Sequence, residues 1–157
     1  MRHRRSLFSM VVAVSLMSLS GSVVYAGNPH FKAVAAHLGS PRLVVSGSEV
    51  GLGSSATVRY EASATVTTSA QCLNGGGKNP SASNKVFSGE LASNATEQAD
   101  NSGKITTELV LLALPTSFCP PGQGTVVTTA TFSNVTLADT TNGVVASIPG
   151  TFEYVAP

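Results

Sequence analysis

The chain has 157 residues, 42% of them hydrophobic and 11% charged, with two cysteines and no tryptophan. Nine Lys and Arg nearly balance eight Asp and Glu, and beyond the N-terminal Arg2, Arg4 and Arg5 the six remaining basic residues are scattered rather than run together, so there is no electrostatic footprint for nucleic acid or anionic lipid. Without tryptophan the chain also lacks the aromatic platform most suited to sugar rings.

At the N-terminus, Arg2, His3, Arg4 and Arg5 precede an apolar run from Leu7 to Leu19, followed by small and polar residues up to Val24-Tyr25-Ala26. This layout predicts a secretory signal peptide over residues 1–26, cut after Ala26. The apolar run is shorter than the roughly 20 residues that crossing a bilayer requires, so no transmembrane segment is expected after cleavage. Arg4-Arg5-Ser6-Leu7-Phe8 is similar to a twin-arginine signal, and the general and twin-arginine routes both stay open. Residues 27–157 are expected to form a single domain, long enough to bury a core. An exported chain with two cysteines is expected to join them, here Cys72 to Cys119, because the compartment is oxidising.

Throughout the mature chain the apolar period is two, the pattern of half-buried strands. Phe31 to Leu38 and Leu43 to Val50 read as strands joined across Gly39-Ser40-Pro41. Ala56 to Thr67 alternates most clearly, with Ala56, Val58, Tyr60, Ala62, Ala64 and Val66 on one face. Cys72 then opens a loop rich in Gly, Asn and Pro. Lys85 to Leu91 and a weaker Ala92 to Gln98 follow, then a turn at Asp100-Asn101-Ser102-Gly103 and a strand from Lys104 to Leu112. Ile105, Leu109 and Leu111 share one face of that strand, yet Val110 and Leu112 make the other apolar too, which suggests a central position or an interface. Cys119-Pro120-Pro121-Gly122-Gln123 forms a second loop. Thr125 to Thr141 and Val144 to Ile148 flank Asn142-Gly143, a strong hairpin signal. The parity of apolar residues changes between Phe132 and Val135, which predicts a bulge near Ser133 or Asn134. Pro149-Gly150 precedes a last strand from Thr151 to Val155 and argues for an edge, a bend or a switch between sheets. Eight or so short strands predict an all-β, antiparallel two-sheet sandwich, immunoglobulin-like or similar, with a small barrel as the alternative.

Cys72-Leu73-Asn74-Gly75-Gly76-Gly77-Lys78-Asn79-Pro80 with Asn84-Lys85, then Cys119-Pro120-Pro121-Gly122-Gln123, then Ile148-Pro149-Gly150-Thr151-Phe152 together carry a resemblance. The chain resembles small secreted proteins of Gram-positive, actinobacterial type. The resemblance implies export, the bridge and a bacterial source. It implies no activity.

Few residues point to chemistry. Gly75-Gly76-Gly77-Lys78 invites a phosphate reading, but Asn79 follows the lysine where a nucleotide loop has Ser or Thr, and no helix is expected next, so a surface loop is the better account. His30 and His37 are seven residues apart on an extended segment, on opposite faces and about 23 Å from each other, which keeps them from sharing an ion; His30 is expected solvated and His37 half-buried. Asp100 to Gly103 supplies too few oxygens for calcium. Glu61 and Glu108 lie on polar strand faces, no Gly-x-Ser-x-Gly elbow occurs, and a bridge would consume both thiols, so no catalytic residue, metal or cofactor is assigned. Asn94-Ala95-Thr96 and Asn134-Val135-Thr136 match the N-glycosylation pattern.

What remains is the loop pair. Asn74, Lys78, Asn79, Phe118, Pro120, Pro121 and Gln123 are the candidate partner-binding residues, with Phe118 either an exposed anchor or a cover for the bridge. The expected role is that of a non-enzymatic secreted or cell-surface-associated protein binding a cell-envelope or extracellular protein. An inhibitor of extracellular hydrolases, presenting the Pro120-Pro121 loop as rigid bait, is the second reading, and an enzyme the third.

Overall fold

A side-chain period of two makes every strand two-faced, and stacking two sheets hides one face of each. The computed structural model describes residues 27–78, 84–115 and 118–157. The expected signal peptide and Asn79 lie outside the described residues. Among the described residues there are eight strands: β1 (His30–Leu38), β2 (Arg42–Val50), β3 (Thr57–Leu73), β4 (Asn84–Gln98), β5 (Ile105–Leu112), β6 (Gly124–Asp139), β7 (Val144–Ile148) and β8 (Phe152–Val155). The smaller antiparallel sheet has the order β1-β2-β5, and the larger β4-β3-β6-β7, with β8 following β7 along the same side of β6. The expected all-β sandwich with one disulfide is therefore the fold. An immunoglobulin constant domain places its fourth strand beside the fifth; here β4 has moved to the other sheet, beside β3.

The core forms where Leu43 and Val45 of β2 and Leu109 and Leu111 of β5 meet Tyr60, Ala62, Ala64 and Val66 of β3 and Phe132, Val135 and Leu137 of β6, all buried. The sheets approach so closely at Gly47 that a Cβ there would lie 2.4 Å from Cδ2 of Leu137.

Several boundaries differ from the pattern. β3 does not stop at Thr67 but runs to Leu73, because β4 and β6 pair with it on both sides, Leu73 lying opposite Gly124. Cys72 thus ends a strand instead of opening a loop. The two segments expected over Lys85 to Gln98 are one strand, held in unbroken register from Asn84 opposite Gln71 to Gln98 opposite Thr57. Its thin apolar content suits an edge, where Phe87, Leu91 and Ala95 are only half-buried. β5 is not central either: it closes the smaller sheet, with Leu112 exposed.

The change of parity in β6 is a bulge, as expected. Ser63 pairs with Thr136 and Thr65 with Ser133, and Asn134 takes the left-handed φ of 52° that Asn tolerates best. A second bulge at Thr128 had no apolar signal: Ser69 pairs with Thr129 but Ala70 with Val127, and the Thr128 hydroxyl donates to the Ser69 carbonyl at 3.0 Å. Pro149-Gly150 breaks the strand between β7, which ends with Ile148 opposite Val135, and β8, which starts with Phe152 opposite Phe132. Both stay on β6, so the proline marks an edge interruption and not a switch of sheets.

At one end of the sandwich the chain changes sheets twice. The Asp100–Gly103 turn carries it from β4 to β5, between sheets rather than within a hairpin. Asp100 Oδ1 accepts from the Ser102 hydroxyl at 2.7 Å and from the N-H groups of Ser102 and Lys104, which together hold its pKa below the usual carboxylate value. The β2–β3 connection packs on this turn: the Leu52 N-H donates to the Gly103 carbonyl at 3.1 Å, and Gly103 has φ 73° with the Leu52 carbonyl oxygen 1.9 Å from where a Cβ would be.

Candidate functional site

The opposite end is where the two sheets stop matching. β2 begins at Arg42 and β5 ends at Leu112, while β3 continues to Leu73 and β6 starts at Gly124. The inner face of the larger sheet would be bare here, yet Thr68, Ala70 and Cys72 are buried. The β5–β6 connection crosses this face and is fastened to it twice. The Thr68 hydroxyl donates to the Ala113 carbonyl at 2.7 Å, and Cys72 is bonded to Cys119 with Cα atoms 5.7 Å apart. The expected bridge is thus present, and its physical task is to hold a covering segment where the smaller sheet has run out.

Three turns surround it. Gly39 to Arg42 joins β1 and β2 through a cis Ser40-Pro41 bond, closed by the Gly39 N-H donating to the Arg42 carbonyl at 2.7 Å. In the β3–β4 turn, Asn74 Oδ1 accepts from the N-H groups of Gly76 at 3.1 Å and Lys78 at 3.0 Å, and its carbonyl accepts from the Gly77 N-H at 2.8 Å. These N-H groups are turned onto Asn74, away from the position an anion would need. In the third turn the Gln123 N-H donates to the Pro120 carbonyl at 3.2 Å with Gly122 at φ 81°, a type II turn that has proline and glycine at the positions it favours.

Of the expected binding residues, Lys78, Pro120 and Pro121 are exposed on these turns. Asn74 is exposed too, but its side-chain oxygen is occupied in shaping its own loop. Phe118 is half-buried, between the two expectations for it. Gln123 is half-buried with its Oε1 buried and without a hydrogen-bond partner. The fold therefore brings the described members of the set to one end of the molecule.

Other residues belong to this end that the sequence did not single out. Ser40, Pro41 and Arg42 face Thr125 and Val127 across a groove of about 410 Å³. Leu112, Leu114 and Pro115 form its floor and also line a second groove of about 240 Å³ against Leu91 and Val110, between the edge strands β4 and β5. Leu112 is 51% exposed, a large share for a leucine between two hollows. Its position on the outward face of β5 was the one visible signal. The charge is also uneven: residues 27–48, 62–89 and 109–138 contain no Asp or Glu, and Arg42, Lys78 and Lys85 all fall at this end.

A second constellation lies near the other end, inside the core. Glu49 of β2 is 1% exposed, and its Oε2 accepts from the Tyr60 hydroxyl of β3 at 2.6 Å, while Oε1 has no partner. Asp139 of β6, opposite Tyr60 in register, is buried and accepts from the N-H groups of Thr141 and Asn142 and from Asn142 Nδ2. Burial pushes the Glu49 carboxyl above the ordinary glutamate range; the Tyr60 hydroxyl opposes the rise and the charge of Asp139 adds to it. Burial, then the bond to Glu49, raises Tyr60 as well. Closed off from water, the group joins the two sheets rather than facing a substrate. Both acids share the inward parity of their strands, Glu49 with Leu43 and Val45, and Asp139 with Val135 and Leu137, a signal the sequence reading did not use.

Other expected residues fall apart. His30 and His37 are both exposed, so His37 is not half-buried as expected; Val34 and Ala36 are the neighbours in β1 that pack against the core. Glu108 is exposed and Glu61 half-buried. Among the described residues no three His, Cys, Asp or Glu side chains gather as a metal site would require. No family model, curated protein or solved structure matches the chain.

Proposed function

We propose that the protein is a non-enzymatic, secreted or cell-surface-associated sandwich of actinobacterial type that binds an envelope or extracellular protein through its disulfide-fastened end. The observation that carries this reading is that three turns, the bridge and the two grooves beside Leu112 gather at one end of the sandwich. A bridge that persists suits an oxidising compartment, in agreement with the N-terminal export pattern. The test is a pull-down from the native envelope and medium with residues 27–157 as bait, beside a variant with alanine at Asn74, Lys78, Phe118 and Gln123. Loss of a specific partner in the variant supports the reading. Equal capture by both baits, at equal stability, overturns it.

A second reading, an inhibitor of extracellular hydrolases, is favoured by the exposed Pro120-Pro121 pair in a turn fixed next to Cys119. A turn that is already ordered loses little entropy on entering a cleft. Secreted proteases and glycosidases assayed at micromolar protein should then include one that is inhibited, and inhibition of none removes this reading.

A further inference from the structure

The disulfide-fastened end combines two properties that together narrow its partner. It carries three cations: Arg42 lines the larger groove, Lys78 sits on the β3–β4 turn and Lys85 pairs with Ala70 near the start of β4, while Glu90, next to Leu91 of the smaller groove, is an acid at its border. Among the described residues, Arg42 uses its Nε on the Gly39 carbonyl at 3.0 Å and is otherwise exposed to the groove. The six basic residues of 27–157 divide between the two ends, but Glu49, Glu97, Asp100 and Asp139 all lie at or near the far end, so the balance at this end is positive even with Glu90 at its border.

The second property is the shape and chemistry of the surface between those charges. Leu112, Leu114 and Pro115 give both grooves a shared apolar lining, of which Leu112 is exposed and Leu114 buried. Beside this lining run β4 and β5, each the last strand of its sheet, with a row of backbone N-H and C=O groups that no strand among the described residues pairs. A polyphosphate or a sugar-acid polymer would satisfy the charge and leave the apolar lining and the strand edges unused. An extended peptide satisfies all three: its backbone pairs with a strand edge, alternate apolar side chains enter the grooves, and the side chains between them reach the basic rim.

We infer that this end receives an extended polypeptide segment in which acidic residues alternate with aliphatic ones, laid over Leu112, Leu114 and Pro115 with its carboxylates toward Arg42, Lys78 and Lys85. The inference rests on the proposed binding role of this end and adds the chemistry of the occupant.

The probes are three fluorescein-labelled molecules: a peptide alternating Glu with Leu and Val, the same peptide with Lys in place of Glu, and polyphosphate. Fluorescence anisotropy with oxidised residues 27–157 should show binding of the acidic peptide, weakening as salt is raised, and no binding of the lysine peptide. Arg42→Gln should weaken the acidic peptide about two- to fivefold, the size of one exposed charge pair. Leu112→Ser, at a side chain half in water and so removable without unfolding the domain, should weaken it about tenfold, as loss of an anchor does. Thermal melts of both variants should match the parent, which separates lost binding from lost folding. Equal affinity for the acidic and lysine peptides, binding of polyphosphate alone, or indifference to Leu112→Ser each overturns the inference. If the native pull-down still depends on this end, the broader reading survives that failure; if it does not, both fall.

Discussion

Removing the bridge should cost a calculable part of the stability and should release one region before the rest. Cys72 and Cys119 are separated by 47 residues, and for a loop of that size the chain-entropy model gives about 4 kcal/mol of restraint on the unfolded chain. A double replacement, Cys72→Ala with Cys119→Ala, keeps the smaller side chain that the buried Cys72 position accepts and leaves no unpaired thiol. With a urea slope of about 2 kcal/mol per M, ordinary for a domain of this size, the unfolding midpoint should fall by about 2 M. Because the bridge fastens the β5–β6 connection over Ala70, hydrogen exchange should quicken in the second half of β3, beyond Thr68, and a protease should nick the chain between Ala113 and Gln123. Exchange at Val58 and Tyr60, deep in the core at the other end, should rise only with global unfolding. A midpoint change below about 0.3 M, or exchange that rises equally along β3, would refute the assigned role of the bridge.

Gly47→Ala should destabilise by about 1–3 kcal/mol in urea titrations, since the added methyl meets Leu137; combining it with Leu137→Ala should cost less than the sum of the two single changes. Tyr60→Phe deprives the remaining Glu49 oxygen of its donor and should cost about 1–3 kcal/mol by the same measurement. Glu49 also makes stability depend on pH. Its folded pKa is raised above the ordinary 4.5, so the native state binds its proton more tightly than the unfolded chain; that contribution is complete below the ordinary value and is lost as pH rises through the folded one. The groups facing it are Tyr60, Asp139 and, more weakly, His30. Melting temperatures of the parent should therefore decline from acid toward neutral pH, and Glu49→Gln should flatten that part of the profile; an unchanged profile refutes the assignment. Asn134→Val forces a β-branched residue into a left-handed backbone and should cost about 1–2 kcal/mol by thermal melt, whereas Asn134→Gly should be nearly neutral.

Alternation alone determined most of the fold. It placed the core-facing residues of β3 and β5 and the bulge at Asn134, because a period of two is local and each residue carries its own share of it, and Asn142-Gly143 marked the β6–β7 hairpin. The two cysteines likewise sufficed for the bridge, there being only one way to pair them. Beyond that hairpin, strand partners were not legible. Nothing in Asn84 to Gln98 says that one strand runs its full length against β3, nor in Ile105 to Leu112 that it lies at an edge, since pairing satisfies backbone groups that are the same in every residue. The candidate end was half legible: Gly, Pro and Asn marked the turns, but only the folded chain set Arg42 and Leu112 beside them. Three basic residues spread over 44 positions of sequence, from Arg42 to Lys85, carry no joint field in an unfolded chain. The turns that return each strand to the same end bring them together, and Glu49 meets Tyr60 and Asp139 only when one sheet covers the other. Periodicity decides which way a side chain points, but what it meets there depends on long-range pairing of the backbone.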